Sequence, residues 1–242
     1  MTAAAPGRIA GILFDKDGTL IDFRGTWDGW ARDLIAEATG DDAAAAARLA
    51  AAMRFDLETG GFAPDSPIIA GTAEEAAALV AAGLGRDDVD AVERWIADRA
   101  KDAQMAPVVP LAPLCDRLRA AGHALGVATN DAEAVAHANL ASLGLTAAFD
   151  FVAGFDSGHG GKPGPGMVTA FCAAMDLPPA ACVMVGDSPH DLLAGRAAGA
   201  RTVAVLTGIS GAADLAPLAD AVLPDIGHLP DWLGLAAATH DA

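Results

Sequence analysis

Asp15 and Asp17, in the stretch DKDGTL, set two carboxylates two residues apart at the end of an apolar run. Side chains at i and i+2 of an extended segment share one side, so both can converge on one ligand while Lys16 points elsewhere. Gly18 lets the backbone turn away sharply. Further along, VATN ends in Thr129 and Asn130, GHGGKPGP presents Lys162, and VMVGDSPHD presents Asp187 and Asp191. Roughly four carboxylate charges and nearly two more from a phosphate are tolerable together only with a divalent cation and a lysine. The set therefore describes a phosphate site around a hard, oxygen-ligated ion such as Mg2+, and nothing in its spacing suggests zinc.

These residues must be positioned by regular elements. RIAGILF at residues 8–14 is a short apolar run ending in a polar turn, and HALGVATN, FDFVAGF, CVMVGDS and RTVAVLTG have the same form. Helix-like stretches lie between these five candidate strands: LAPLCDRLRAAG, DAEAVAHANLASLG, PGMVTAFCAAMDL and HDLLAGRAAGA. Uniformly apolar strands alternating with helices predict an α/β fold, a Rossmann-like parallel sheet with helices on both faces. In such sheets ligands bind at the carboxyl ends of the strands, where Asp15 and Asp17 lie.

Residues 24–106 break the rhythm with helical patterning and no comparable apolar strand, which predicts an inserted α-helical domain. Within it, TAEEAAALVAAGLG opens with Thr72 and Glu75 in capping-box spacing, and Pro107 and Pro110 mark the return to the core. The expected division is a core of residues 1–23 and 107–242 with an insert of 24–106. The tail after Trp232 is expected to be loose.

Composition excludes several classes. The formal charge of −17 disfavours nucleic acid and anionic membranes as partners. Hydrophobic residues make up 53%, yet no stretch approaches the roughly 18 apolar residues of a membrane span. MTAAAPGRIAGILFDKDG does not read as a secretory signal, and Cys115, Cys172 and Cys182 lack CxxC spacing and an even count. Cytoplasmic localisation is the expectation, as a monomer or homodimer. The chain has only three lysines, Lys16, Lys101 and Lys162, which makes each informative.

DKDGTL, ATN, GKPGP and GDSPHD, in that order, resemble the four motifs of the haloacid dehalogenase superfamily, in its phosphoglycolate phosphatase-like branch. The resemblance implies a Mg2+-dependent phosphomonoester hydrolase with a helical cap, matching residues 24–106, that closes over a small anionic phosphorylated metabolite, 2-phosphoglycolate being the named candidate. It implies Asp15 as the nucleophile that forms a phosphoaspartyl intermediate and Asp17 as the acid and then the base. Thr129, Asn130 and Lys162 would hold the phosphoryl oxygens. The metal would be held by Asp15, the Asp17 backbone carbonyl, Asp187, and Asp191 directly or through water. Where the branch commonly has Asp followed by Ser or Thr after DGTL, this chain reads IDFRG, with Phe23 and Arg24. The stretch ETGGFAPDSPIIAGT is the expected cap loop to reach the substrate.

Structural roles stand beside these. Asp187 and Asp191 also suit helix capping, Asp131 could cap the next helix, and the tryptophans suit helix packing. Lys16 either faces the cap and steers an anionic substrate or is solvated. His159 and His190 read as ordinary loop and helix-start residues. Pro163 after Lys162 excludes a nucleotide-binding loop. A sugar-phosphate mutase, a phosphonate hydrolase, a metal-free dehalogenase, a receiver domain and a non-catalytic phosphate-binding protein are the rivals. A receiver domain would lack the insert and carry its acceptor aspartate on a middle strand.

Overall fold

A computed structural model describes residues 8–63, 65–69 and 71–235; the reading of the extreme N-terminus and of the tail beyond Leu235 lies outside the described residues. The chain opens with β1 (Gly11–Phe14) and then passes through α1 (Phe23–Thr39), α2 (Ala43–Met53), β2 (Phe55–Asp56), β3 (Gly61–Phe62), α3 (Ala73–Leu84) and α4 (Val89–Lys101). It returns through α5 (Leu111–Ala120), β4 (Ala124–Ala128), α6 (Glu133–Ser142), β5 (Phe151–Ala153), α7 (Gly166–Ala174), β6 (Cys182–Gly186), α8 (Pro189–Ala198) and β7 (Arg201–Val205). It closes with α9 (Ala212–Leu215), β8 (Ala221–Leu223) and α10 (Leu229–Trp232).

Six strands form one parallel sheet in the order β5-β4-β1-β6-β7-β8. The five predicted strands are all present. The sixth, β8, is only the three residues AVL, too short a run to stand out from apolar helix sequence. The chain leaves β1 for β4 on one side and later takes up β6 on the other, so β1 is the point where the winding reverses and a crevice opens at the strand ends. Ile12, Leu13 and Phe14 are essentially inaccessible because helices cover both faces. One face packs on Leu118, Leu125, Leu140 and Val183, the other on Met167, Phe171 and Met184.

The four helices between Phe23 and Lys101 share a separate apolar cluster built on Leu34, Ile35, Leu49, Val80 and Val92. Their N-termini are capped by the side chains of Asp22, Asp42, Thr72 and Asp88, and Thr72 with Glu75 forms the expected capping box. The short antiparallel pair β2 and β3 was not anticipated; it holds Phe55 against Phe62, with ring centroids 5.2 Å apart. Entry and exit of the insert are tied together: Asp22 N donates to Ala106 O at 2.7 Å and Val108 N to Leu20 O at 3.1 Å. Among the described residues, no helix is long and apolar enough to cross a membrane.

Gly126 on β4 leaves space for the buried Phe171 ring, which a β-carbon at that position would approach to 2.8 Å. Gly126→Val is therefore expected to lower stability by about 1–3 kcal/mol through overpacking. Urea denaturation should show a lower midpoint at unchanged slope, and an unmoved midpoint would contradict this packing.

Candidate active site

Asp15 follows directly on β1, with its amide fixed to the Val185 carbonyl of β6 at 2.8 Å. Asp187 follows β6, and Asp191 lies in the first turn of α8, where it forms a reciprocal capping box with Ser188. The Lys162 ammonium joins these elements: Nζ donates to Asp15 Oδ1, to Asp191 Oδ1 at 2.6 Å and to the Ala128 carbonyl at 2.9 Å. Asp15, Asp187 and Asp191 each bring a carboxylate oxygen within 4.8 Å of the others, and all three residues are buried.

Burial pushes the Asp15 carboxyl up to about 7; Lys162 opposes the rise, while the charges of Asp191 and Asp17 add to it. Asp187 is held well above the ordinary carboxylate range by burial, with the charges of Asp15 and Asp191 adding. Burial alone would lower the Lys162 pKa, but Asp15 and Asp191 outweigh it and raise it. Three buried carboxylates beside one ammonium are short of positive charge, and the convergent donors are all oxygen. That chemistry fits a hard divalent cation.

The geometry also reserves space at this acidic face. A β-carbon on Gly208 would come within 1.7 Å of Asp187 Oδ2. Gly18, at φ +84°, turns the chain past the same carboxylate. Thr19 Oγ1 donates to Asp187 Oδ1 at 3.2 Å, and Thr207 Oγ1 holds the Gly18 carbonyl at 2.6 Å. Neither threonine was picked out from the sequence, because each acts through a partner more than 160 positions away.

Asp17 belongs to a second charged centre. Its Oδ2 lies 2.6 Å from Lys16 Nζ, and its Oδ1 accepts from Trp27 Nε1 on α1 at 2.6 Å. Lys16 also reaches Asp131 Oδ2 at 2.9 Å and Asn139 Oδ1 at 3.1 Å, and its ammonium lies 5.2 Å from the centre of the Trp27 ring. The expected alternatives for Lys16 both fail here: it is fully buried and bound to carboxylates, neither solvated nor on the cavity wall where it could steer a substrate. Burial by itself would lower its pKa, but Asp131 and Asp17 raise it, so the lysine is cationic. Asp131 does not cap α6 with its side chain; Asp156 accepts the Glu133 amide at 2.8 Å instead. Trp27 proves to be a site residue as well as a packing one, which its sequence context did not reveal.

Thr129 follows β4 at the cavity, its Oγ1 accepting from Asp131 N at 3.1 Å, which leaves its own O–H proton to donate. Asn130, expected on the phosphate, commits its side chain to the Lys162 backbone: Oδ1 accepts from Lys162 N at 2.8 Å and Nδ2 donates to Lys162 O at 3.0 Å. Its contribution is to fix the loop that carries the lysine. Its carbonyl accepts from Ala73 N at 3.1 Å, which docks the start of α3 over the site. The cavity between the sheet and the inserted helices has a volume of about 120 Å³ and is lined by Asp15, Asp17, Thr129, Lys162, Asp187 and Asp191 on the sheet side. The loop singled out in the insert contributes Phe62, Ile68, Ile69 and Thr72 to the opposite wall.

Residues 9–199 match the family of haloacid dehalogenase-like hydrolases. The chain belongs to that family. It is 34% identical over 233 residues to a phosphoglycolate phosphatase of Rhodospirillum rubrum, covering 92% of this chain and 90% of the relative. It is 28% identical over 200 residues to the fructose-1-phosphate phosphatase YqaB of Escherichia coli, covering 82% and 97%. In structure it resembles CbbY of Rhodobacter sphaeroides, solved in complex with phosphate, at a TM-score of 0.68 and 22% identity over 91% of this chain and 96% of that one. The chain is thus a hydrolase of the phosphatase-like branch, and residues from its four motifs line one cavity.

Two outcomes follow from this geometry. Gly208→Ala should displace Asp187 and weaken Mn2+ binding about 10- to 100-fold in a titration followed by electron paramagnetic resonance; unchanged affinity would contradict the assigned cation site. Lys16→Met should destabilise the fold by about 3 kcal/mol in urea, because it strands buried carboxylate charge. Full stability in that variant would contradict the role given to Lys16.

Proposed function

We propose that this hydrolase is a Mg2+-dependent phosphomonoesterase that works through a phosphoaspartate on Asp15. The observation that carries the reading is the separation of the two aspartates: Asp15 sits in the Lys162 cluster, and Asp17 is held apart by Lys16 and Trp27. Two carboxylates in different environments suit a nucleophile and an acid/base. Asp15, Asp187 and the Asp17 backbone carbonyl would hold the metal, with Asp191 binding directly or through water. When bound, Mg2+ supplies charge neutralisation and polarises the phosphoryl oxygens.

An Asp15 carboxylate oxygen attacks phosphorus, and the bond from phosphorus to the ester oxygen breaks as Asp17 gives that oxygen its proton. Burial raises the pKa of Asp17, and the Lys16 ammonium limits the rise. Asp17 then takes a proton from water, whose oxygen attacks phosphorus and releases inorganic phosphate and the free Asp15 carboxylate. Lys162 and the Thr129 hydroxyl orient the phosphoryl oxygens, with Asn130 holding the Lys162 loop.

Residues 24–106 act as the cap over a core of 1–23 and 107–242, and the docking of Ala73 on Asn130 supports a closed arrangement that excludes water. The net charge of −17 supports a small phosphorylated metabolite as the partner over nucleic acid or an anionic membrane. The free, buried thiols of Cys115, Cys172 and Cys182 are in keeping with a cytoplasmic setting. 2-Phosphoglycolate, the substrate in the name of the Rhodospirillum relative, belongs in the first test panel.

Phosphate release from a panel of monoesters should require Mg2+, stop with chelator and return when the metal is restored. Asp17→Asn should lose about 10²- to 10⁴-fold in kcat on alkyl phosphates. Asp15→Asn should release no phosphate while keeping its circular dichroism spectrum, and wild-type turnover in that variant would refute the assigned nucleophile.

A further inference from the structure

Resting on the phosphatase reading, we infer that the alcohol part of the substrate is apolar, a small ring or branched chain, and carries neither a carboxylate nor a polyol. The cap wall of the cavity is built from Trp27, Trp30, Phe62, Ile68, Ile69 and Ile96. Trp27 and Trp30 meet edge to face at 5.2 Å between ring centroids, which gives the wall an aromatic corner.

A carboxylate placed there needs a cation, and among the described residues of the wall the cap supplies none. The cap arginines nearest in the chain are engaged elsewhere: Arg24 lies 3.6 Å from Asp28, and Arg32 donates to Gly60 O at 3.5 Å. Lys162, the one lysine on the wall, already serves Asp15 and Asp191, and Lys16 is sealed behind Asp17 and Asp131. His190, the remaining basic side chain among the described wall residues, is carried by the core helix α8 beside Asp191 and not by the cap.

Polyol recognition is equally poorly served. Thr72 is the cap's one hydroxyl among the described wall residues; its oxygen accepts the Glu75 amide at 3.2 Å, which leaves a single O–H donor where a polyol needs several partners. The Trp27 indole N–H is committed to Asp17. A sugar or glycolate group would lose its water for a wall that cannot replace the hydrogen bonds, whereas an apolar group gains from the same burial. The cavity, about 120 Å³ and shared with the phosphoryl group, favours a small alcohol part.

The test compares kcat/KM, with Mg2+, for benzyl phosphate and 3-methylbutyl phosphate against 2-phosphoglycolate and fructose 1-phosphate, all esters of alkyl alcohols. The apolar pair is expected to lead by about tenfold or more. Equal or better turnover of phosphoglycolate or fructose 1-phosphate would overturn this inference and leave the phosphatase reading intact. Release from none of the four would overturn the phosphatase reading and this inference with it. Ile96→Arg, which sets a cation into the wall, should raise the ratio of phosphoglycolate to benzyl phosphate turnover, and an unchanged ratio would count against the assigned wall.

Discussion

The Lys162 ammonium, buried among carboxylates, is the interaction on which the site depends. A charge this far from water survives only if its partners are fixed, and here they come from three separate elements. Asp15 follows β1, the Ala128 carbonyl ends β4, and Asp191 lies on α8. The lysine itself rides on a loop whose backbone is clamped by Asn130, so the strand ends, the helix start and the loop hold one another in register. Asp191 serves twice, capping α8 with one oxygen and meeting Lys162 with the other. The capping reading and the site reading of that residue are therefore one arrangement.

A second buried lysine divides the labour between two neighbours in sequence. Lys16 draws Asp17 toward Asp131 and Asn139 on the α6 side, while Trp27 grips Asp17 from the cap. Asn139 also donates to the Ala100 carbonyl of α4 at 3.0 Å. The acid/base candidate is thus positioned by core and cap together, and only with the cap docked is its carboxylate held from both sides. An enzyme that needs a proton donor only after the substrate is enclosed gains from such a dependence.

Much of this was legible from the chain. Apolar runs ending in polar turns gave five strands, and the residues just past β1, β4 and β6 are those that face the cavity. What stayed hidden was contact between distant positions. Lys16 looked like a surface or steering lysine because its amide partner Asn139 is 123 residues away and its neutralising partner Asp131 reads as an ordinary helix cap. Trp27 looked like packing because nothing local shows that its indole N–H meets a carboxylate. The character of the cap wall was concealed for a different reason: in a chain with 53% hydrophobic residues, a side chain that lines a cavity cannot be told from one that fills a core.

The most direct test of the central claim is to find the covalent intermediate. The protein would be mixed with Mg2+ and a turned-over ester, quenched in acid within milliseconds, and its peptides sequenced by mass spectrometry. One phosphoryl group should appear on Asp15, should be removed by hydroxylamine as an acyl phosphate is, and should be absent when chelator is present. Turnover with Asp15 unmodified at every quench time, or with the phosphoryl group on another residue, would contradict the account.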